Sequence, residues 1–100
     1  MTIAVYERVL AEIRRRIRSR QYVVTAHALD EMDDDGLTVF DLEAIILTGI
    51  VAERQRDRTT GDWKYLVLGE TVNGQRATVV ARPGKTGKLV IVTVFRESST

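Results

Sequence analysis

The spacing of apolar residues changes at Gly49, and this change constrains the fold more than any other feature of the chain. Before Gly49, apolar side chains recur every three or four residues, which is the period of an amphipathic helix. After it, they alternate with polar side chains or run continuously, which is typical of β-strands. Because the two periods occupy separate parts of the chain, we expect an α+β fold in which helices precede an antiparallel sheet.

The part before Gly49 predicts three helices, over residues 3–20, 25–36 and 38–49. The second and third helices each begin at a threonine, whose hydroxyl can accept a hydrogen bond from the first turn, and each ends at a glycine. An aspartate three residues after the second of these threonines completes a capping box. The side chains expected to face the core are Tyr6, Val9, Leu10, Ile13, Ile17, Ala28, Leu29, Met32, Leu42, Ile45 and Ile46.

The part after Gly49 predicts four antiparallel strands, joined by glycine-containing turns such as Asn73-Gly74. The last strand is apolar on both faces, which places it inside the sheet or under a cover on both sides. A short β-prone segment, Tyr22–Val24, is not assigned to the sheet. We therefore predict one domain over residues 1–100, with three N-terminal helices packed on a curled four-stranded sheet. The predicted strands are Ile50–Arg58, Trp63–Thr71, Arg76–Arg82 and Leu89–Arg96.

Composition argues against several classes of protein. The chain contains no cysteine and one histidine, so neither disulfides nor a structural zinc site are expected. It has no apolar run of the roughly 18–20 residues that span a bilayer. Residues Met1–Tyr6 lack the basic start and the apolar stretch of a signal peptide, so none is expected. We therefore expect a cytoplasmic protein that uses no cofactor, metal or membrane partner. Both a monomer and a homodimer are compatible with the sequence.

The net charge of +1 conceals a strong segregation of charge along the chain. Arginines crowd residues 14–20, acidic residues crowd residues 30–43, and basic residues prevail again from Arg54 onward. Neighbouring blocks of opposite charge usually pair locally or are solvated. We therefore expect the acidic second helix to lie beside the arginine-rich first helix and to neutralise it.

Basic side chains recur at alternate positions of the predicted strands, and alternate residues of a strand share a face. Rows of cations beside aromatic rings on one side of a sheet suit single-stranded RNA. The same pattern fits cations that prevent edge-to-edge aggregation, together with aromatic rings in the core. The row of Lys88 and Arg96 is expected to share a face with Val90, Val92 and Val94. The rows are Arg54, Arg56 and Arg58 on the first predicted strand, Arg76 and Arg82 on the third, and Lys88 and Arg96 on the fourth. The predicted RNA contacts are Arg54, Arg56, Arg58, Trp63, Arg76 and Lys88.

His27 lies in the first turn of the predicted second helix, where the helix dipole disfavours a positively charged imidazole. A neutral imidazole can act as a general base. The alternative is a histidine that hydrogen-bonds to the backbone and orients the start of the helix, and position alone favours this alternative. The acidic run at residues 33–35 could attract a divalent cation, but a solvated helix end explains it better.

Several short segments occur in an order that resembles a small bacterial family of unknown function, DUF4258. That family is usually grouped with the RelE-like toxin fold, near the BrnT and MqsR types, and the resemblance spans nearly the whole chain. The segments are Tyr22-x-x-Thr25-x-His27-Ala28, Gly36-Leu37-Thr38, Asp41–Ile45, Gly49-Ile50-Val51, Tyr65–Gly69 and Ile91–Phe95.

The resemblance implies a metal-independent mRNA endoribonuclease of a type II toxin–antitoxin system, with RNA as substrate and a small cognate antitoxin as partner. In such an enzyme a ribose 2′-hydroxyl attacks the neighbouring phosphate, which needs a base, cations and an acid. The residues expected to act are Arg82 and Arg96 on the phosphate and His27 as base or acid. Tyr65 is expected to stack on a nucleobase.

Two other functions remain open on the sequence alone. The first is a non-catalytic protein-interaction module with a toxin-like fold, which would grip a partner through the acidic second helix or an exposed strand edge. The second is binding of RNA or DNA without cleavage, in which case affinity should fall steeply with salt.

Overall fold

A computed structural model describes the backbone of residues 2–97 and the side chains from Tyr6 to Glu97. Within this part of the chain, five strands form one sheet in the order β1-β5-β4-β3-β2. Strand β1 pairs parallel with β5, and all other neighbours are antiparallel. The elements are α1 (Thr2–Arg18), β1 (Tyr22–Val24), α2 (Ala26–Asp35), α3 (Val39–Thr48), β2 (Ile50–Arg56), β3 (Trp63–Glu70), β4 (Arg76–Pro83) and β5 (Leu89–Arg96).

The mixed α+β arrangement with three helices is confirmed, but the four-stranded, wholly antiparallel sheet is wrong. The segment Tyr22–Val24 adds a fifth strand, parallel to Leu89–Ile91. The backbone N–H of Thr25 then donates to the Ile91 carbonyl oxygen at 3.0 Å, which leads the chain from β1 directly into α2. Three residues carry too weak a local pattern to show that they pair with the far end of the chain.

The three helices cover one face of the sheet, which we call the helix face. Strand residues of one parity form the core together with apolar residues from all three helices, and Val67, Val79 and Ile91 are completely buried. The other parity, represented by Leu66 and Val80, points to the opposite or open face. Within the described residues no helix packs on the open face. None of the described helices is long and apolar enough to cross a membrane.

Two β-bulges decide which face the basic side chains occupy. Ala52 is an extra residue in β2, so Arg54 pairs with Tyr65 and lies on the helix face. Val92 is an extra residue in β5, so Arg96 shares the helix face while Val90 lies on the open face. The expected row that combined Arg96 with Val90 is therefore wrong, because one inserted residue reverses the alternation of side chains.

The acidic residues of α2 do not neutralise the arginines of α1, contrary to expectation. Helix α2 packs along β5, while the ion pairs that Arg15 and Arg16 make within the described residues are both with Glu12 of their own helix. Arg14 instead donates to two backbone carbonyl oxygens at the end of α3, those of Ile46 at 3.2 Å and Gly49 at 2.8 Å. Arg14 thereby ties α1 to the C-terminus of α3.

Two carboxylates of α2 close the free edge of β5. Glu31 accepts a hydrogen bond from the backbone N–H of Val94 at 3.1 Å, and Asp35 accepts one from Arg96 at 2.8 Å. Residues four apart on a helix are about 6 Å apart, which matches the spacing of alternate residues on a strand. Glu31 and Asp35 therefore stabilise the edge of β5, whereas the sequence predicted a solvated acidic helix end.

Candidate nucleic-acid interface

A groove of about 380 Å³ lies between α1 and the turn that connects β4 to β5. Its walls combine cationic side chains with an apolar floor and one aromatic ring. The polar lining residues are Arg8, Glu12, Arg16, Tyr65 and Lys88, and the other lining residues are Val9, Ile13, Pro83, Gly84, Gly87 and Leu89. The volume is that of a site for a small ligand or for one nucleotide unit.

The α1 wall of the groove follows from helical periodicity. Arg8, Glu12 and Arg16 are spaced by four residues and therefore stack along one side of the helix. The buried Ile13 lies on the neighbouring stripe and anchors this helix to the sheet. A single stripe of α1 thus presents two guanidinium groups and one carboxylate to the groove.

The opposite wall is shaped by a tight turn. Gly84 donates its backbone N–H to the Lys88 carbonyl oxygen at 2.7 Å, and Gly87 has a φ of +85°. This backbone conformation favours glycine. A Cβ on Gly87 would also lie only 3.3 Å from an Nη atom of Arg16, so the absence of a side chain lets the turn approach α1 closely.

Among the described residues, Glu12 is the one carboxylate that lines the groove. It accepts hydrogen bonds from Arg15 at 2.7 and 3.1 Å and from Arg16 at 2.8 Å, and these bonds lower its pKa to about 2. Glu12 is therefore ionised at physiological pH and is a weak base. Arg8 and Lys88 make no ion pair within the described residues, so the groove keeps a local positive charge.

Two arginines and the only tryptophan of the chain form a second cationic feature, which we call the Trp63 cluster. The guanidinium carbon of Arg54 lies 4.0 Å from the centroid of the Trp63 ring, and that of Arg56 lies 4.2 Å from it. Arg56 also donates from Nη1 to the Gly61 carbonyl oxygen at 2.8 Å. Both distances are within the range of cation–π contacts.

Tyr65 connects the Trp63 cluster to the groove. It lines the groove, packs against the core, and is directly opposite Arg54 in the pairing of β2 with β3. Directly opposed residues on one face of a sheet have Cβ atoms roughly 5 Å apart. The groove and the Trp63 cluster are therefore adjacent at one end of the helix face.

The structure brings together five of the side chains predicted from the sequence to contact RNA, and it places the others elsewhere. Arg58 lies in the turn after β2, while Arg76 and Arg82 lie on the open face. Arg96 lies on the helix face at the far end of β5, opposite Ala77, so Arg82 and Arg96 occupy opposite faces and opposite ends of the strand pair. The side chains brought together are Arg54, Arg56, Trp63, Tyr65 and Lys88.

His27 lies at the exposed start of α2, with Nε2 3.4 Å from a carboxylate oxygen of Glu31. Helix α2 runs along the outer side of β5, whereas Arg54 and Arg56 lie on β2 at the opposite edge of the sheet. His27 and the Trp63 cluster are thus separated by the width of the sheet. The catalytic roles assigned to His27, Arg82 and Arg96 stay predictions.

Sequence reasoning missed two cations of the groove, Arg8 and Arg16. Arg16 belongs to the arginine-rich stretch that was expected to be neutralised by the acidic second helix, and Arg8 was given no role. The four-residue spacing of Arg8, Glu12 and Arg16 could have identified them as one stripe. Nothing local could have shown that this stripe faces the turn before Leu89, because that contact joins opposite ends of the chain.

Comparison with known proteins identifies the family of the chain. No curated protein sequence and no solved structure matches the chain. The family model described as a domain of unknown function (DUF4258) matches residues 24–96, which run from the last residue of β1 to the last residue of β5. Helix α1, which forms one wall of the groove, lies outside the matched region. The chain belongs to the DUF4258 family.

Proposed function

We propose that this protein binds single-stranded RNA along the groove and the Trp63 cluster. The observation that carries the proposal is the convergence of five cationic residues from three separate elements beside two aromatic rings. Phosphate groups are the usual ligands of such clusters, and unpaired bases can stack on exposed rings. The five cations are Arg8, Arg16, Arg54, Arg56 and Lys88.

The size of the groove favours an unpaired strand over a duplex. A groove of about 380 Å³ can accept one nucleotide unit whose base is unpaired. Proteins that bind single strands commonly combine a basic groove with aromatic side chains, as Tyr65 and the adjoining arginines do here. One base beside Tyr65, with flanking phosphates on Arg16 and Lys88, is consistent with this lining.

The finer proposal is that bound RNA is cleaved, as in a RelE-like toxin. The ribose 2′-oxygen would attack the adjacent phosphorus and lose its proton to a base, while the bond from phosphorus to the 5′-oxygen breaks and that oxygen takes up a proton. The products are a 2′,3′-cyclic phosphate and a 5′-hydroxyl. In the groove, Arg16 and Lys88 could stabilise the charge on the phosphoryl oxygens, and Tyr65 could hold or donate a proton.

RNA binding is tested by fluorescence anisotropy with a labelled 12-nucleotide single-stranded RNA at several salt concentrations. We expect the double variant Arg8→Ala/Lys88→Ala to bind several-fold more weakly. Its slope of log affinity against log salt should be smaller by about 1.4, since each phosphate contact contributes about 0.7. The matched control is Arg18→Ala/Arg20→Ala, which removes the same charge from α1 and the turn after it, outside the groove. Equal effects of the two double variants would refute the assignment of the groove.

Cleavage is tested by incubating the RNA with the protein in the presence of EDTA and analysing the ends of the products. We expect fragments with cyclic phosphate ends, and their loss in the Lys88→Ala variant. Separate His27→Ala, Arg82→Ala and Arg96→Ala variants test whether side chains outside the groove take part. RNA that is bound but stays intact would refute cleavage and leave a binding protein.

A second candidate function, a protein-interaction module, is favoured by the open face of the sheet. Ile50, Leu68 and Phe95 lie there with 65%, 44% and 40% of their surface exposed. A small antitoxin is the partner that the toxin proposal implies. We expect Leu68→Glu to abolish complex formation with the product of a small neighbouring gene, measured by co-purification, while RNA binding stays unchanged. Retention of the complex would refute this docking face.

A further inference from the structure

The two arginines of the Trp63 cluster have the spacing needed to hold an aromatic ring between them. Arg54 and Arg56 are alternate residues of β2, and such residues are about 6.8 Å apart. This spacing is close to twice the usual distance between stacked planar groups. Arg56 is directly opposite Trp63, and both guanidinium carbons lie within 4.2 Å of the ring centroid.

A ring on which guanidinium groups stack has less free surface for a nucleobase. Each flat side of Trp63 that carries a guanidinium group is no longer available for stacking. The exposed side chains of Arg54 and Arg56 are instead the outermost groups of the cluster. The expected role of Trp63 as an RNA contact therefore needs a different physical explanation.

Stacking leaves most of the hydrogen-bonding capacity of the two arginines unused. A guanidinium group donates in its own plane through five N–H groups, while it stacks through its faces. Among the described residues, these two guanidinium groups make one hydrogen bond, which Arg56 donates to the Gly61 carbonyl oxygen. Both arginines are exposed, and their remaining N–H donors make no hydrogen bond within the described residues.

We propose that the Trp63 cluster is a phosphate clamp, in which Arg54 and Arg56 bind oxygens of the RNA phosphodiester backbone and Trp63 positions both guanidinium groups. This inference rests on the proposed RNA-binding function. Planar, doubly hydrogen-bonding guanidinium groups match the geometry of phosphate oxygens, and their prior ordering lowers the entropy lost on binding. Trp63 is a positioning residue in this arrangement, not a platform for bases.

The position of the clamp also indicates the path of the RNA. Tyr65 is opposite Arg54 on the helix face and lines the groove, so a strand with one base beside Tyr65 can continue over β2. The clamp would then hold phosphates next to that nucleotide. Because it reads only the backbone, it adds affinity without base preference.

The intrinsic fluorescence of Trp63 tests the clamp directly, since the chain contains one tryptophan. The protein is titrated with a 12-nucleotide single-stranded RNA and with an abasic phosphodiester oligomer of the same length. We expect both probes to change the fluorescence of Trp63, because both carry the backbone phosphates. A change with RNA and none with the abasic oligomer would show that Trp63 stacks on a base and would overturn the inference.

Substitutions separate the geometry of the clamp from its charge. We expect Arg54→Ala/Arg56→Ala to reduce the salt slope by about 1.4, and Arg54→Lys/Arg56→Lys to weaken binding several-fold although the charge is kept. Trp63→Leu should remove the difference between arginine and lysine at these positions, and Trp63→Phe should largely restore it. Lysine variants that bind as tightly as the wild type would refute the clamp.

The outcomes distinguish failure of the clamp from failure of the proposed function. If RNA binds to the wild type and to Arg54→Ala/Arg56→Ala with the same affinity and salt slope, the clamp is refuted and RNA binding in the groove stands. If the wild type binds no RNA at any salt concentration, the proposed function is refuted and the clamp with it. The control Arg18→Ala/Arg20→Ala corrects both results for the loss of net charge.

Discussion

The closure of the β5 edge by α2 leads to a sharp prediction about Glu31 and Asp35. The double variant Glu31→Gln/Asp35→Asn keeps the size of both side chains but removes their charge. The matched control is Asp33→Asn/Asp34→Asn, which removes the same charge from two exposed positions of the same helix. Comparison of the two double variants therefore separates a structural role of Glu31 and Asp35 from a general effect of the negative charge of α2.

The magnitude follows from the burial of the two hydrogen bonds. The bond from Val94 to Glu31 is partly buried beside a residue with no exposed surface, and bonds to charged groups contribute about 1.5–3 kcal/mol. The bond from Arg96 to Asp35 is exposed, so water can replace much of it. Because an amide oxygen can still accept a weaker bond, we expect a loss of about 2 kcal/mol for the variant. The control should lose less than about 0.5 kcal/mol.

Urea denaturation, monitored by circular dichroism, measures the free energy of unfolding. Amide hydrogen exchange, measured by NMR, shows which residues lose protection. The backbone amides of Val94 and Arg96 should exchange faster in the Glu31→Gln/Asp35→Asn variant, while amides in β3 should change only through the lower global stability. Opening this edge should also increase self-association at high protein concentration.

Two results would refute this reasoning. The first is an equal loss of stability in Glu31→Gln/Asp35→Asn and in the control. The second is unchanged exchange at Val94 relative to the rest of the sheet. Either result would return the acidic run to the role of a solvated surface or of a partner-binding one.

Three further predictions test the packing of the fold and two perturbed pKa values. Gly69→Ala should lower the free energy of unfolding, measured by urea denaturation, by about 3 kcal/mol, since its Cβ would overlap a backbone carbonyl oxygen of α3. Gly74 has a φ of +81° and open space around it, so Gly74→Ala should lower it by about 1 kcal/mol; equal losses would contradict this. Hydrogen bonds from backbone N–H groups hold the pKa of Asp41 below 3.8, so the ionised carboxylate contributes fully to stability above that pH, and this contribution is lost as the pH falls through the lower folded-state pKa. Thermal unfolding of Asp41→Asn should therefore depend less on acid pH, and parallel curves of wild type and variant would argue against this assignment. Burial and the hydrogen bond to Glu43 raise the pKa of Tyr22 from 10.0 to about 12, so the stability of the wild type should fall as the pH rises between these values. Tyr22→Phe should lose about 1 kcal/mol at neutral pH and show a smaller fall at alkaline pH. An equal dependence of stability on alkaline pH in both proteins would count against this assignment.

The helix boundaries could be predicted because their signals are local. Thr25 accepts a hydrogen bond from the Ala28 N–H, and Thr38 and Asp41 form the predicted capping box. Gly36 ends α2 in the left-handed conformation, with a φ of +68°. Each of these contacts joins residues no more than four positions apart, so the residue types alone are sufficient evidence.

The candidate site could be predicted only in part, because its residues lie far apart in the chain. The sequence indicated Arg54, Arg56 and Trp63 as a group, and these three side chains do meet. It placed Arg96 in a shared row with Val90, and the bulge at Val92 turned it to the other face. A bulge depends on how two strands fit together, and no residue type marks its position.

The amino-acid sequence by itself determined the type and order of the three helices, the caps of α2 and α3, and the position of every antiparallel strand to within two residues. Tertiary structure decided which face each arginine occupies, that Tyr22–Val24 joins the sheet, and that α1 meets the turn before Leu89. The physical reason is the range of the interactions involved. Caps and periodicity act within one or two turns, whereas register, bulges and the groove depend on contacts between distant segments that form only when the whole core is buried.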